Sequence, residues 1–155
     1  MEALTDNMQK YENYKEQMGR LKKALKEQFY LEAISIEYAI IEDRIESVLR
    51  HSGVFRPDKH NMLNKKLNRL EEMQRKKDGL ARKYFSDELI SEIHSWKNER
   101  NPMTHALLNL KLHTEDLADI ALRGEALVKI VSSKVSLYNR AIERQKKKQE
   151  APTHV

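Results

Sequence analysis

From Leu117 to Ile142 the apolar residues fall alternately four and three positions apart: Leu117, Ala121, Gly124, Val128, Val131, Val135, Tyr138 and Ile142. A stripe with that period runs along one side of an α-helix, whereas a strand would divide it between two faces. Gly124, sitting on the stripe, predicts a close approach by a neighbouring element rather than a break. The same period recurs upstream. Met8, Tyr11, Tyr14, Met18, Leu21 and Leu25 predict a helix from about residue 8 to 28. Tyr30, Ile34, Glu37, Ile41, Arg44 and Val48 predict a second from about 29 to 51, joined to the first through a kink because no clear breaker separates them.

Leu63, Leu67, Leu70 and Met73 predict a third helix over about 59–77, and Leu89, Ile93 and Trp96 a fourth from Asp87 to Glu99 or Arg100 with Ser86 as its N-cap. The breaks between helices are as telling as the stripes. Gly53 and Pro57 end the second helix, Asp78-Gly79 stops the third, and Pro102 bars continuation of the fourth. Asn101 and Pro102 then open a short fifth helix to about residue 110, and Thr114 caps the last. With only 4 Gly and 3 Pro in 155 residues, the chain lacks the turn chemistry of an all-β fold. The expected architecture is a single all-α domain, an up-and-down bundle of five to six helices over residues 1–142. A basic, frayed tail is expected over 143–155.

The composition excludes several chemistries. There is no cysteine, hence no disulfide, thiolate–zinc site or thiol nucleophile. His51, His60, His94, His105, His113 and His154 are scattered without metal-ligand spacing, and His94 reads as a solvated surface residue. No glycine-rich loop offers to cradle a phosphate, and no Ser-His-Asp set can be assembled. Neither a metal nor an organic cofactor is expected. No apolar run approaches the roughly 18 residues of a membrane span, and the first residues lack the order of a signal peptide. A cytoplasmic protein without membrane contact is the expectation. The net charge of +5 is concentrated late: between 140 and 150, Arg140, Arg144, Lys146, Lys147 and Lys148 face only Glu143 and Glu150. Such a run suits an RNA or acidic partner, and equally a solvated helix end.

What remains as chemistry is Arg100-Asn101-Pro102-Met103-Thr104-His105. Arg100 extends the Leu89–Ile93–Trp96 stripe by four, which places its guanidinium on the buried side of its helix. His105 lies one turn into the next helix. A helix start attracts anions, arginine offers a planar fork for phosphate, and histidine moves protons near neutral pH. Those three properties suit RNA cleavage in which the 2′-hydroxyl attacks phosphorus and no metal is required. Asn101 as a plain N-cap and His105 as an ordinary first-turn histidine account for the same residues structurally.

The segment resembles the motif of the HEPN superfamily, an arginine and a histidine separated by four to six residues, with a polar residue after the arginine. Arg44 and His51 share that spacing, but Ile45 follows Arg44, whereas Asn101 follows Arg100. The resemblance covers the motif and the bundle over about residues 29–142. It implies a metal-independent endoribonuclease that leaves 2′,3′-cyclic phosphate, in a toxin–antitoxin or phage-defence setting. It also implies a homodimer whose two motifs face one cleft, with RNA as substrate and an antitoxin or regulatory protein as a further partner. Arg100 and His105 would be catalytic, Asn101 would position phosphate, and Arg144, Lys146, Lys147 and Lys148 would assist RNA binding. Family toxins neutralised by nucleotidyltransferases carry a tyrosine two residues after the histidine, where this chain has Leu107.

Glu37 and Arg44 interrupt the apolar stripe of the second helix, two turns apart. Either they pair with each other or with charges on another helix, or Glu37 reaches Arg100 and orients it, as the resemblance suggests. The competing reading of the whole chain is a non-catalytic helical module that binds a protein partner along the Leu117–Ile142 seam.

Overall fold

The computed structural model describes residues 6–76, 79–100 and 114–150. They form six helices: α1 (Asp6–Lys26), α2 (Tyr30–His51), α3 (Leu63–Arg75), α4 (Gly79–Tyr84), α5 (Asp87–Arg100) and α6 (Thr114–Glu150). No strand occurs among the described residues, and the chain is an all-α bundle. The short helix expected after Asn101 falls outside the described residues.

Two compact units divide the chain, one from residues 1–40 and 96–128, the other from 41–95 and 129–155. The core of the first contains Leu21, Ile34, Trp96, Ala121 and Val128. That of the second contains Ile41, Ile45, Leu67, Phe85, Val135 and Tyr138. Each large apolar side chain so buried stabilises its unit by about 1.5–3 kcal/mol relative to exposure. The α6 seam is sequestered as its spacing predicts, with Ala121, Val128, Val131, Val135 and Tyr138 all 0% exposed. It is therefore core, and not the partner surface that the interaction-module reading assigned to it.

The ends of α1 and α2 share one geometry. At the first, Gln28 N donates to Leu25 O (3.2 Å) and Phe29 N to Ala24 O (2.8 Å). At the second, Gly53 N donates to Arg50 O and Val54 N to Leu49 O, both at 3.0 Å. Each is a Schellman closure that needs one left-handed residue. Gly53 supplies it at φ 73 and Gln28 at φ 62. The connection read as a kink is thus a full stop made by a glutamine, which no composition rule marks as a breaker.

Three boundaries differ from expectation. The third helix begins at Leu63 rather than near residue 59, because residues 56–60 close their own turn. There Lys59 N and His60 N both donate to Arg56 O, and Arg56 N donates to His60 Nδ1 at 2.9 Å. After the stop of α3, Gly79 opens the short α4, and the buried Gln74 side chain donates to the Phe85 carbonyl. At the C-terminal side α6 continues to Glu150, so residues 143–150 are helix where a frayed tail was expected. Ser86 caps α5 as predicted: its Oγ accepts from Leu89 N at 3.1 Å.

Candidate functional site

Arg100 is the last residue of α5 and is half-buried. Its guanidinium lies over the Tyr38 ring, 4.0 Å from the centroid. Tyr38 in turn packs against the buried indole of Trp96, one turn earlier on α5, with ring centroids 6.4 Å apart. Trp96 is itself fixed by donation from Nε1 to the Ile120 carbonyl at 2.9 Å. An arginine held over an aromatic ring by the ring's π-face spends none of its N–H donors on that contact. Lys97, buried to 7% exposure, sits three residues before Arg100, so the end of α5 carries two cations on adjoining positions.

Glu37 is fully buried in the same unit, and neither carboxylate oxygen has a hydrogen-bond partner among the described residues. The group fits only because residue 124 is glycine. A β-carbon there would stand 2.7 Å from Glu37 Cδ and 2.8 Å from Trp96 Cζ2, and would overlap Glu37 Oε1. The close approach predicted for Gly124 is therefore made by a carboxyl group and an indole ring. Burial raises the Glu37 pKa from 4.5 to about 9, with the charge of Glu125 adding to the effect. Glu37 is consequently a neutral carboxylic acid at pH 7.

This overturns both expected pairings of Glu37. Its oxygens meet neither Arg100 nor Arg44, and Arg44 Nη2 instead donates to Asp43 at 2.8 Å. A neutral acid offers a guanidinium no Coulombic attraction, and Arg100 is held by Tyr38 instead. Nor does Glu99 pair with Arg100: it pairs with Arg123, which also binds Asp119 at 2.9 Å. Tyr38, whose ring lies under the Arg100 guanidinium, was missed by sequence reading because it lies beside the α2 stripe rather than on it.

Asn101 and His105 lie outside the described residues. Of the four basic residues assigned to RNA at the end of α6, Lys146 is engaged elsewhere, donating from Nζ to the His51 carbonyl at the end of α2 (3.0 Å). Arg144, Lys147 and Lys148 are exposed. His94, read as solvated, is half-buried, and its Nε2 meets Glu71 Oε1 at 2.8 Å in a cleft of about 730 Å³. Nothing in the sequence placed those two, 23 residues apart, together.

Among the described residues no group of three His, Asp or Glu side chains is gathered to hold a metal ion, and no helix is long and apolar enough to cross a membrane. Compared with protein-family models, curated proteins and solved structures, the chain matches none.

Proposed function

We propose that the chain is a metal-independent endoribonuclease of the HEPN type, acting through Arg100 and His105. The observation that carries this reading is Arg100 stacked on Tyr38 at the end of α5, where the segment Asn101–His105 begins. Its N–H groups have no carboxylate partner among the described residues, which leaves them for the scissile phosphate. In the proposed reaction the 2′-hydroxyl attacks phosphorus, giving up its proton to a base, and the bond from phosphorus to the 5′-oxygen breaks. The departing oxygen takes up a proton, and a 2′,3′-cyclic phosphate remains. His105 serves the proton transfers, and Arg100 stabilises the charge that builds on the phosphoryl oxygens. Asn101 assists phosphate placement, and two copies of the chain bring two motifs to one cleft. Tyr38 replaces Glu37 as the residue that orients Arg100.

Purified protein in EDTA is expected to cut single-stranded RNA, leaving cyclic ends. His105→Ala should lower the rate about 10²–10⁴-fold, and Arg100→Ala about 10²–10³-fold. Undiminished cleavage by His105→Ala, or a strict need for a divalent ion, would refute the mechanism.

A second reading keeps one observation of its own. Ile130 and Leu137, one heptad apart on α6, are 42% and 40% exposed. A module that binds a protein partner would use that strip rather than the buried seam. Loss of partner binding in Ile130→Asp, with RNA left uncut by the wild type, would favour it.

A further inference from the structure

A cleft of about 550 Å³ lies between the 53–60 segment and α3, wholly within the second unit. Arg56, Lys59, Lys65, Arg69 and Lys76 line it together with His60, and among the described residues Glu72 is the one carboxylate in the lining. Lys65, Arg69 and Lys76 recur at helical spacing along one face of α3 and its C-cap. Eleven residues at 1.5 Å each make that row about 16 Å long. The opposite wall is rigid, because Arg56 and His60 are tied by the turn described above. His60 also packs on Phe55, with ring centroids 6.0 Å apart.

Within the cleft Arg69 bonds Glu72 at 3.1 Å, and Lys65 donates to Asn61 Oδ1 at 3.2 Å. Arg56, Lys59 and Lys76 are exposed and form no ion pair among the described residues. Five cations stand against Glu72 in the lining and Asp58 beside His60, an excess that works against the folded state unless an anion is there to receive it. The row is several phosphate spacings long, too extended for a single phosphate. Among the described residues Val54 is the only apolar side chain in the lining, and these residues offer no pocket for the apolar anchor on which peptide recognition relies.

We propose that this cleft binds the phosphate backbone of single-stranded RNA, without reading its sequence. The choice of RNA as the strand rests on the ribonuclease reading; the binding needs neither Arg100 nor His105. Fluorescence anisotropy with a labelled 2′-O-methyl strand, which cannot be cut, measures it directly. The variant Lys59→Ala/Lys65→Ala/Lys76→Ala alters exposed side chains only, and circular dichroism checks that it folds. Its affinity should fall about tenfold or more near physiological salt. Its plot of log affinity against log salt should be shallower by about 2, because three phosphates are no longer neutralised and each accounts for roughly 0.7 of slope.

Wild-type affinity and slope in that variant would overturn the proposal. So would a loss confined to Arg144→Ala/Lys147→Ala/Lys148→Ala, or displacement of the strand by polyglutamate or phosphatidylserine vesicles as readily as by unlabelled RNA. A chain that binds RNA through the cleft but never cuts it refutes the nuclease and keeps the cleft. A chain that cuts RNA with an inert cleft does the reverse.

Discussion

Glu37 and Lys66 are both ionisable residues taken out of water, yet the chain treats them oppositely. Lys66, 5% exposed, sends Nζ to Glu42 Oε1 at 2.8 Å and to Glu46 Oε1 at 3.2 Å. The two carboxylates are partly exposed, and Glu46 also receives Arg50 Nε at 2.9 Å. Burial pushes the Glu46 pKa up, but hydrogen bonds and charge from Arg50 and Lys66 outweigh it and hold the group below 4.5. Glu37 has no such neighbours and stays buried by keeping its proton. A buried charge survives by pairing or by neutralisation, and this chain uses one solution in each unit. The paired site is a brace. The neutral site is held shut by packing alone, beside the residues that carry Arg100.

The comparison is most sharply tested by removing the brace. Lys66→Met should cost about 3 kcal/mol at pH 7, measured by urea unfolding, because Glu42 and Glu46 then face each other without their shared cation. A cost under about 0.5 kcal/mol would mean that solvent already compensates those carboxylates.

Gly124→Ala comes next, at about 1–3 kcal/mol, since overpacking against Glu37 and Trp96 exceeds the helix-propensity gain of alanine. In a Glu37→Ala background the penalty should shrink, because two of the three atoms that the new methyl meets are then gone. Simple additivity of the two substitutions would show that Glu37 does not fill the space above Gly124.

The third test is set by pH, and its size depends on the pH at which it is read. Between 4.5 and about 9 the folded chain holds a proton on Glu37 that the unfolded chain has released. Stability from this group is therefore complete below pH 4.5 and declines as pH rises toward 9, by up to about 1.4 kcal/mol per pH unit. Glu46 has the opposite sign: its contribution is present above pH 4.5 and is lost as pH falls through its lowered pKa. Glu37→Gln should match the wild type near pH 5 and exceed its thermal stability by pH 8. Parallel pH profiles for the two proteins would show that Glu37 is ionised in the fold.

Much of this architecture was legible in the residues. The α6 seam, the Ser86 cap and the Gly53 stop follow from local rules, because each depends on neighbours within a few positions along the chain. Glu37 on the α2 stripe and Gly124 on the α6 stripe were each visible as irregularities. Their meeting was not, since two stripes separated by many residues do not disclose their register. Lys66 lies off the α3 stripe of Leu63, Leu67, Leu70 and Met73, yet it is 5% exposed and its head reaches α2. A lysine can be counted as surface by composition and as core by atom.

By itself the sequence determined that the chain is helical, where most helices start and stop, and which stripes turn inward. Period and capping are properties of a single helix. Tertiary structure alone decided that Arg100 rests on Tyr38, that Glu37 is a neutral acid behind Gly124, and that a row of cations on α3 faces the turn at His60. Those depend on which faces meet and how much water the meeting leaves. Contact and dielectric belong to the folded chain, not to any segment of it.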